Sequence, residues 1–413
     1  MNKLILFVFA FFTFATSIAD DITAQQCQGS LMPYPVPENT IVEYPDSLKP
    51  FYISHVGRHG SRHPASAASA LLVKSYLTQV DTTTSLTKLG KRFLAETNRI
   101  IEICDGKWGE LDSLGMAEQR GIAKRMYENY PIIFNGGTVE AISTYSPRAV
   151  MSMYSFTHQL TMASSEVSVS TSEGKKYSPL LRPFDSDERY ILFRSQNDWK
   201  KVYDAFYEST CPIDVARRLV GTNSGLDDTA LRELAINVYY LVAGMEAMGE
   251  NFDYTPYMSL EEYRKLWSIF NLRQYLQRTA TTISTAPAQI AIPLIEDIVA
   301  AADRVVEGKR IVAANLRFAH AETLMPLLSL IQMKSCYYLT HYFDQVEYNW
   351  RDFEVVPMAA NLQFIFFRSD NGNVYVRTEL NEHPVALIPG HDDIYVPWYI
   401  LREYLLNFIL TLD

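Results

Sequence analysis

Cysteine is scarce in this chain, with four residues in 413. Cys27, Cys104, Cys211 and Cys336 lie too far apart for a zinc ribbon or a Cys-x-x-Cys redox pair. In an oxidising compartment they permit two disulfides in three connectivities, or four buried thiols, and spacing does not choose between these. Basic residues are also in deficit: 37 Lys and Arg stand against 47 Asp and Glu, a formal charge of −10. That balance argues against a nucleic-acid partner, which calls for a basic face. It leaves an anionic small molecule open, because a cleft of arginines focuses positive potential whatever the global sign. Beyond the first residues, no apolar run reaches membrane-spanning length without charge or proline. Internal repeats and low-complexity tracts are absent too.

The one long apolar run is at the start. Lys3, the continuous stretch from Leu4 to Phe14, and Ser17-Ile18-Ala19 have the layout of a secretory signal over residues 1–19. Its removal takes Lys3 away and leaves −11 (−10 minus one positive charge). The expectation is an exported protein, periplasmic, surface-bound or secreted, with no membrane span after signal removal.

The most informative segment is Arg58-His59-Gly60-Ser61-Arg62-His63-Pro64. It follows the β-prone run Pro50–Gly57, so it should form the loop leaving a strand end, where open α/β sheets place ligands. Arg58 and Arg62 offer planar, permanently charged forks for phosphate oxygens. A neutral His59 nitrogen between them could attack phosphorus and form a phosphohistidine. Gly60 implies a close approach of backbone to something. A stray basic surface loop would not need all these residues in this order.

This heptad is the signature of the histidine acid phosphatases, a branch of the histidine phosphatase superfamily, and other segments extend the resemblance. Gly109-Glu110-Leu111-Asp112-Ser113-Leu114-Gly115, continuing to Gln119, resembles that family's Gly-x-Leu-Thr-x-x-Gly-x-x-Gln motif, with Asp112 in place of threonine. Val139–Tyr145 reads as a strand running into Ser146-Pro147-Arg148, the family's third phosphate-binding arginine. Ser146 as cap and Pro147 as first helical residue would set Arg148 in a helix's first turn, where free N–H groups favour anions. Phe318-Ala319-His320-Ala321-Glu322-Thr323 matches the His-Ala-Glu form of the second catalytic motif, where most members carry His-Asp. That form resembles the multiple inositol polyphosphate phosphatases and related phytases. Leu181–Asp185 is a weaker match to the same group.

The resemblance implies an α/β fold: a three-layer, mostly parallel sheet domain with an inserted helical cap. Residues 20–184 and 309–413 would form the discontinuous α/β part and residues 185–308 the cap. Within the cap, Asp227–Met245 carries Leu231, Leu234, Val238 and Leu241 at helical spacing, and Ser259-Leu260-Glu261-Glu262 is a capping box. Leu362–Arg368 and Val374–Leu380 flank a turn signal and read as a hairpin.

The implied site has His59 as nucleophile, a cradle of Arg58, Arg62, Arg148 and His320, and Glu322 as proton donor. An inositol or sugar alkoxide leaves only if protonated, and a nearby phosphate dianion would push the Glu322 pKa up. Lys175, Lys176, Arg182 and Arg189 are candidate contacts to further phosphates, Arg182 foremost. His55 is read as a strand residue behind the loop and His63 as a support of the cradle. His383 and His391 lack metal-ligand spacing. The chemistry needs no metal or cofactor, and no obligate protein partner is inferred. The expected activity is hydrolysis of phytate and other inositol polyphosphates. The alternatives are a broad acid phosphatase on sugar or aryl phosphates, and a phosphate-binding protein without turnover. His59 and Glu322 together weigh against a pure binder, which has no use for a nucleophile and a proton donor.

Overall fold

The computed structural model describes residues 22–411; the signal expected over residues 1–19 lies outside them. Eight strands, β1 (Leu48–Arg58), β2 (Thr138–Ser143), β3 (Ser168–Glu173), β4 (Ala314–Ala319), β5 (Asn361–Ser369), β6 (Val374–Leu380), β7 (His383–Pro384) and β8 (Tyr395–Pro397), form one sheet. Its order is β3-β2-β4-β1-β5-β6-β7, with β8 also on β6. The strands β3, β2, β4 and β1 are parallel, and the register sets Arg58 opposite Ala319 and Ser143 opposite Phe318. The carboxyl ends of β1, β2 and β4 therefore open on one edge.

The remaining pairings, β1–β5, β5–β6, β6–β7 and β6–β8, are antiparallel. The mostly parallel sheet expected from sequence is thus a mixed one, parallel in the half that carries the heptad. The connection from β5 to β6 is only Asp370–Asn373, and so short a link joins antiparallel neighbours alone.

Four helices precede or interleave the early strands: α1 (Ala68–Thr83), α2 (Lys88–Cys104), α3 (Ser113–Asn129) and α4 (Pro147–Ala163). A helical run follows β3: α5 (Ser178–Leu181), α6 (Glu188–Ser195), α7 (Asp198–Thr210), α8 (Asp214–Val220), α9 (Asp228–Ala243), α10 (Leu260–Arg278), α11 (Ala286–Gln289) and α12 (Ile292–Val306). After β4 come α13 (Ala321–Leu330), α14 (Asp352–Val355) and α15 (Trp398–Thr411).

Alternation along β1 shows how the sheet is sandwiched. Tyr52 and Val56 face a cluster with residues of α12, α13 and α15, while Ile53 faces the opposite cluster with Met126 of α3 and Phe156 of α4. Burial on both faces explains the near-continuous apolar run there. A third cluster joins α8, α9 and α10 to α1 and α2, through Val73, Leu77 and Phe93 among others. The apolar contacts thus cut across boundaries at residues 185 and 308: α1 and α2 pack with the cap helices, and α12 packs under the sheet. The expected α9 stripe is buried, and Asp227 caps it by accepting from the Ala230 N–H at 2.8 Å. Both bonds of the Ser259–Glu262 capping box are made on α10. All four cysteines are buried free thiols, the second of the two alternatives sequence left open. Among the described residues, no helix is long and apolar enough to cross a membrane.

Candidate active site

Three strand ends supply the groups named from sequence. Arg58 ends β1, and His59 and Arg62 lie in the loop behind it. The turn after β2 leads to Arg148 in the first turn of α4; Ser146 has the extended backbone of a cap and Pro147 begins the helix, but the Ser146 side chain makes no capping bond. His320, directly after β4, stands at the N-cap position of α13 without a side-chain capping bond, and the first turn of that helix holds Glu322. Arg58, His59, Arg62, Arg148 and Glu322 line a cavity of about 290 Å³, with Tyr240 of α9 and Gln274 of α10 contributing from the helical side. A larger cavity of about 490 Å³ is lined by Glu246 and Glu250 and by none of the arginines, so it is the wrong sign for an anion.

The close approach that Gly60 implies is to Gly115 of α3. A Cβ on Gly60 would stand 2.4 Å from the Gly115 carbonyl oxygen, and one on Gly115 would stand 2.1 Å from the Ser61 oxygen. The two sequence motifs are therefore halves of one contact. Around it, Ser61 donates through N–H and Oγ to Glu118, both at 2.7 Å, and Gln119 Nε2 donates to the Arg58 carbonyl at 2.9 Å. Asp112 caps α3 by accepting from the Leu114 N–H at 2.8 Å. Arg58 is pinned from below: its guanidinium donates to the carbonyls of Ser30 at 2.6 Å and Val356 at 2.5 Å, and buried Asp352 accepts from the Ser30 N–H at 2.7 Å.

Hydrogen bonding fixes the states of both imidazoles. His59 Nδ1 lies 2.9 Å from the Gly60 carbonyl, which can only accept, so Nδ1 carries the proton and Nε2 keeps its lone pair. Burial, with Arg58, Arg148 and Arg62 alongside, holds the His59 pKa well below 6.5, so the ring stays neutral. His320 Nε2 lies 3.0 Å from an Arg182 nitrogen, which can only donate, and 3.1 Å from Thr144 Oγ1. The His320 proton is therefore on Nδ1, which is buried without a partner.

The arginines form a group whose shared counter-charge is Glu322, which makes no direct contact with them. Nε of Arg58, Arg62 and Arg148 is in each case buried and unpartnered. Burial, with mutual repulsion added, lowers Arg58 to about 10 and Arg62 to about 9, still charged at neutral pH. Enclosure raises the pKa of Glu322, but the charge of Arg278 above all, with a backbone hydrogen bond and Arg58, outweighs it and holds the carboxyl at about 2. Before ligand binds, Glu322 is thus an anion.

Of the outlying candidates, Arg182 holds His320 and Asp185 (Nε to Oδ2, 2.7 Å). Lys175 lies over the Tyr145 ring, Lys176 over Tyr177, and Arg189 pairs with Asp187. His55 is buried in β1 between Phe156 and Phe318 and pushed down to about 3 by burial, as befits a strand residue behind the loop. His63 stands 3.8 Å from Asp112 at the side of the loop, and His383 lies exposed in β7. Sequence reading missed Glu118, Asp352 and, above all, Arg278, whose guanidinium lies 3.7 Å from Glu322 Oε1. Glu118 lies within the Gly109–Gln119 motif, and a carboxylate there is the one local signal of a partner in the heptad loop; nothing in the sequence marks Arg278.

A model of the histidine phosphatase superfamily (branch 2) matches residues 53–381. The chain belongs to that superfamily. Multiple inositol polyphosphate phosphatase 1 of Gallus gallus is 26% identical over 302 residues, covering 68% of this chain and 65% of that protein. The chain thus spans less than two-thirds of that relative's length. Among solved structures, the multiple inositol polyphosphate phosphatase of Bifidobacterium longum, in complex with inositol hexasulfate, superposes with a TM-score of 0.78 at 19% identity, over 92% of this chain and 97% of that one. The phytase of D. castellii gives 0.74 at 15% identity, over 94% and 86%. These likenesses establish the superfamily's fold over nearly the whole chain.

Proposed function

We propose that this protein is an exported phosphomonoesterase that removes phosphate from phytate and other inositol polyphosphates through a phosphohistidine on His59. The observation that carries this reading is a neutral His59, its Nε2 lone pair free, in one cavity with the Glu322 carboxyl group and three arginines that make no ion pair among the described residues. A pure binding site would have use for the arginines alone.

The steps follow from these groups. Arg58, Arg62 and Arg148, with the His320 Nδ1–H, bind the phosphoryl oxygens and remove the repulsion facing a nucleophile. His59 Nε2 attacks phosphorus as the ester P–O bond breaks, and Glu322 gives its proton to the departing alkoxide. The resulting carboxylate then accepts a proton from the water that attacks phosphohistidine, which releases phosphate and regenerates His59. Because Glu322 is ionised at rest, the dianion must raise its pKa before it can act. The falling limb of kcat, which reports the bound state, is therefore expected at higher pH than that of kcat/KM, which reports the free protein.

The inositol ring as substrate rests on the His-Ala-Glu motif and on what the relatives are named for. Its test is phosphate release from inositol hexakisphosphate and from p-nitrophenyl phosphate, without added metal, from about pH 3 to about pH 8. Preference for the inositol substrate is the expected result. Equal or reversed preference would reduce the protein to a broad acid phosphatase, and no release from either would favour a phosphate-binding protein.

A further inference from the structure

Glu322 is reached by charge from two directions. From the strand ends come Arg58, Arg62 and, at the start of α4, Arg148, while His320 at the β4–α13 junction is neutral. From the helical side comes Arg278, in the last turn of α10. Its guanidinium lies 3.7 Å from Glu322 Oε1, an ion pair too long for a hydrogen bond. Another of its nitrogens donates to the Tyr190 hydroxyl, its Nε is buried without a partner, and it lies 5.8 Å from the centres of the Phe184 and Tyr190 rings. Arg278 is thus anchored at one end, holds Glu322 loosely at the other and retains a free donor. The Glu322 side chain lines the cavity and is 37% exposed, so a ligand bound there meets the carboxylate that Arg278 holds.

We propose that Arg278 is the positioning residue that makes the proton donor respond to the substrate's own charge. This rests on the phosphatase reading given above. Before substrate binds, Arg278 pairs with the Glu322 carboxylate and keeps it ionised, so no proton is available for a leaving group. A phosphate on the ring carbon next to the scissile one competes for the guanidinium with two charges against one, in bidentate geometry that the carboxylate lacks here. Glu322, separated from its nearest cation and facing the bound dianion, then takes a proton from solvent and can deliver it to the leaving oxygen. An isolated monophosphate brings no second anion and leaves the pair in place. Discrimination for polyphosphorylated rings would thus appear in kcat as well as in KM.

Inositol hexakisphosphate and inositol monophosphate both leave as alkoxides and differ in their neighbouring phosphates, so they isolate the effect. In Arg278→Gln the falling limb of kcat against pH for the monophosphate should move up by about one unit or more, with higher kcat at neutral pH. The ratio of kcat values, hexakisphosphate over monophosphate, should shrink by about tenfold. p-Nitrophenyl phosphate, whose leaving group needs no proton, should keep its kcat. Arg278→Lys should shift in the same direction by less, and carries the test if Arg278→Gln does not fold. If both inositol substrates lose kcat in equal proportion with the limb unmoved, Arg278 is structural and the inference is overturned. If the wild-type protein hydrolyses neither, the phosphatase reading itself fails; if it prefers the hexakisphosphate and Arg278→Gln preserves that preference, only the role of Arg278 fails.

Discussion

The molecule buries arginine in two ways. Arg377, in β6, is 7% exposed and donates at 2.8 Å to Glu379, itself 4% exposed, with the Tyr395 and Tyr130 hydroxyls completing the group. Arg125 likewise forks onto Glu382 at 2.8 and 2.6 Å. At the strand ends, Arg58 is 3% exposed and yet, like Arg62 and Arg148, has no carboxylate in contact among the described residues. Burying a charge without an opposite one is costly, and a fold tolerates it where something else will supply the counter-charge. Charge completed within the chain marks architecture, and charge left incomplete marks a place for a ligand.

Methionine substitutions should separate the two kinds. Arg377→Met leaves Glu379 buried and unpaired and should cost about 3–5 kcal/mol in denaturant unfolding, with turnover per folded molecule unchanged. Arg148→Met should leave stability level or slightly raised while kcat falls by about a hundredfold or more. A melting scan with inorganic phosphate sharpens this further. At about a hundred times its dissociation constant, phosphate should stabilise the wild-type protein and Arg377→Met by about 2.7 kcal/mol, and Arg148→Met much less. A stabilisation equal in all three would mean that phosphate binds elsewhere.

A smaller effect concerns acid. His59 and His320 are held well below 6.5 in the folded protein, so the unfolded chain binds more protons once pH drops below about 6.5. Glu322, held at about 2, adds stability that is present above about 4.5 and lost as pH falls from there toward 2. Both signs agree: the melting temperature should decline on acidification. Glu322→Gln should flatten the lower part of that decline, and an unchanged slope would mean the carboxyl is not held by the cradle.

The cradle was legible because its chemistry is local. The heptad places Arg58, His59 and Arg62 within five positions, and His320 and Glu322 lie two apart, so motif and strand end together carry the site. The buried parts of the sheet were legible for the same reason: β1, β4 and the β5–β6 hairpin are apolar runs. Strand β3, Ser-Val-Ser-Thr-Ser-Glu, was not, because an edge strand half in water carries no apolar alternation to read. Nor was the mixed character of the sheet, since a hairpin signal shows that two strands pair but not where the pair attaches. Arg182 was picked out, but for ligand contact; its bond to His320 depends on a fold that joins residues 138 positions apart. Arg278 reads as an ordinary basic residue ending a helix, and its meaning lies wholly in the long-range approach to Glu322.

The most direct measurement is to trap the covalent intermediate. Brief reaction with radiolabelled phosphate ester, quenched in alkali and mapped by peptide, should place label on His59, stable to base and lost in acid. His59→Ala should take up no label while still binding inorganic phosphate. Label on another residue, or full turnover by His59→Ala, would contradict nucleophilic catalysis at this site.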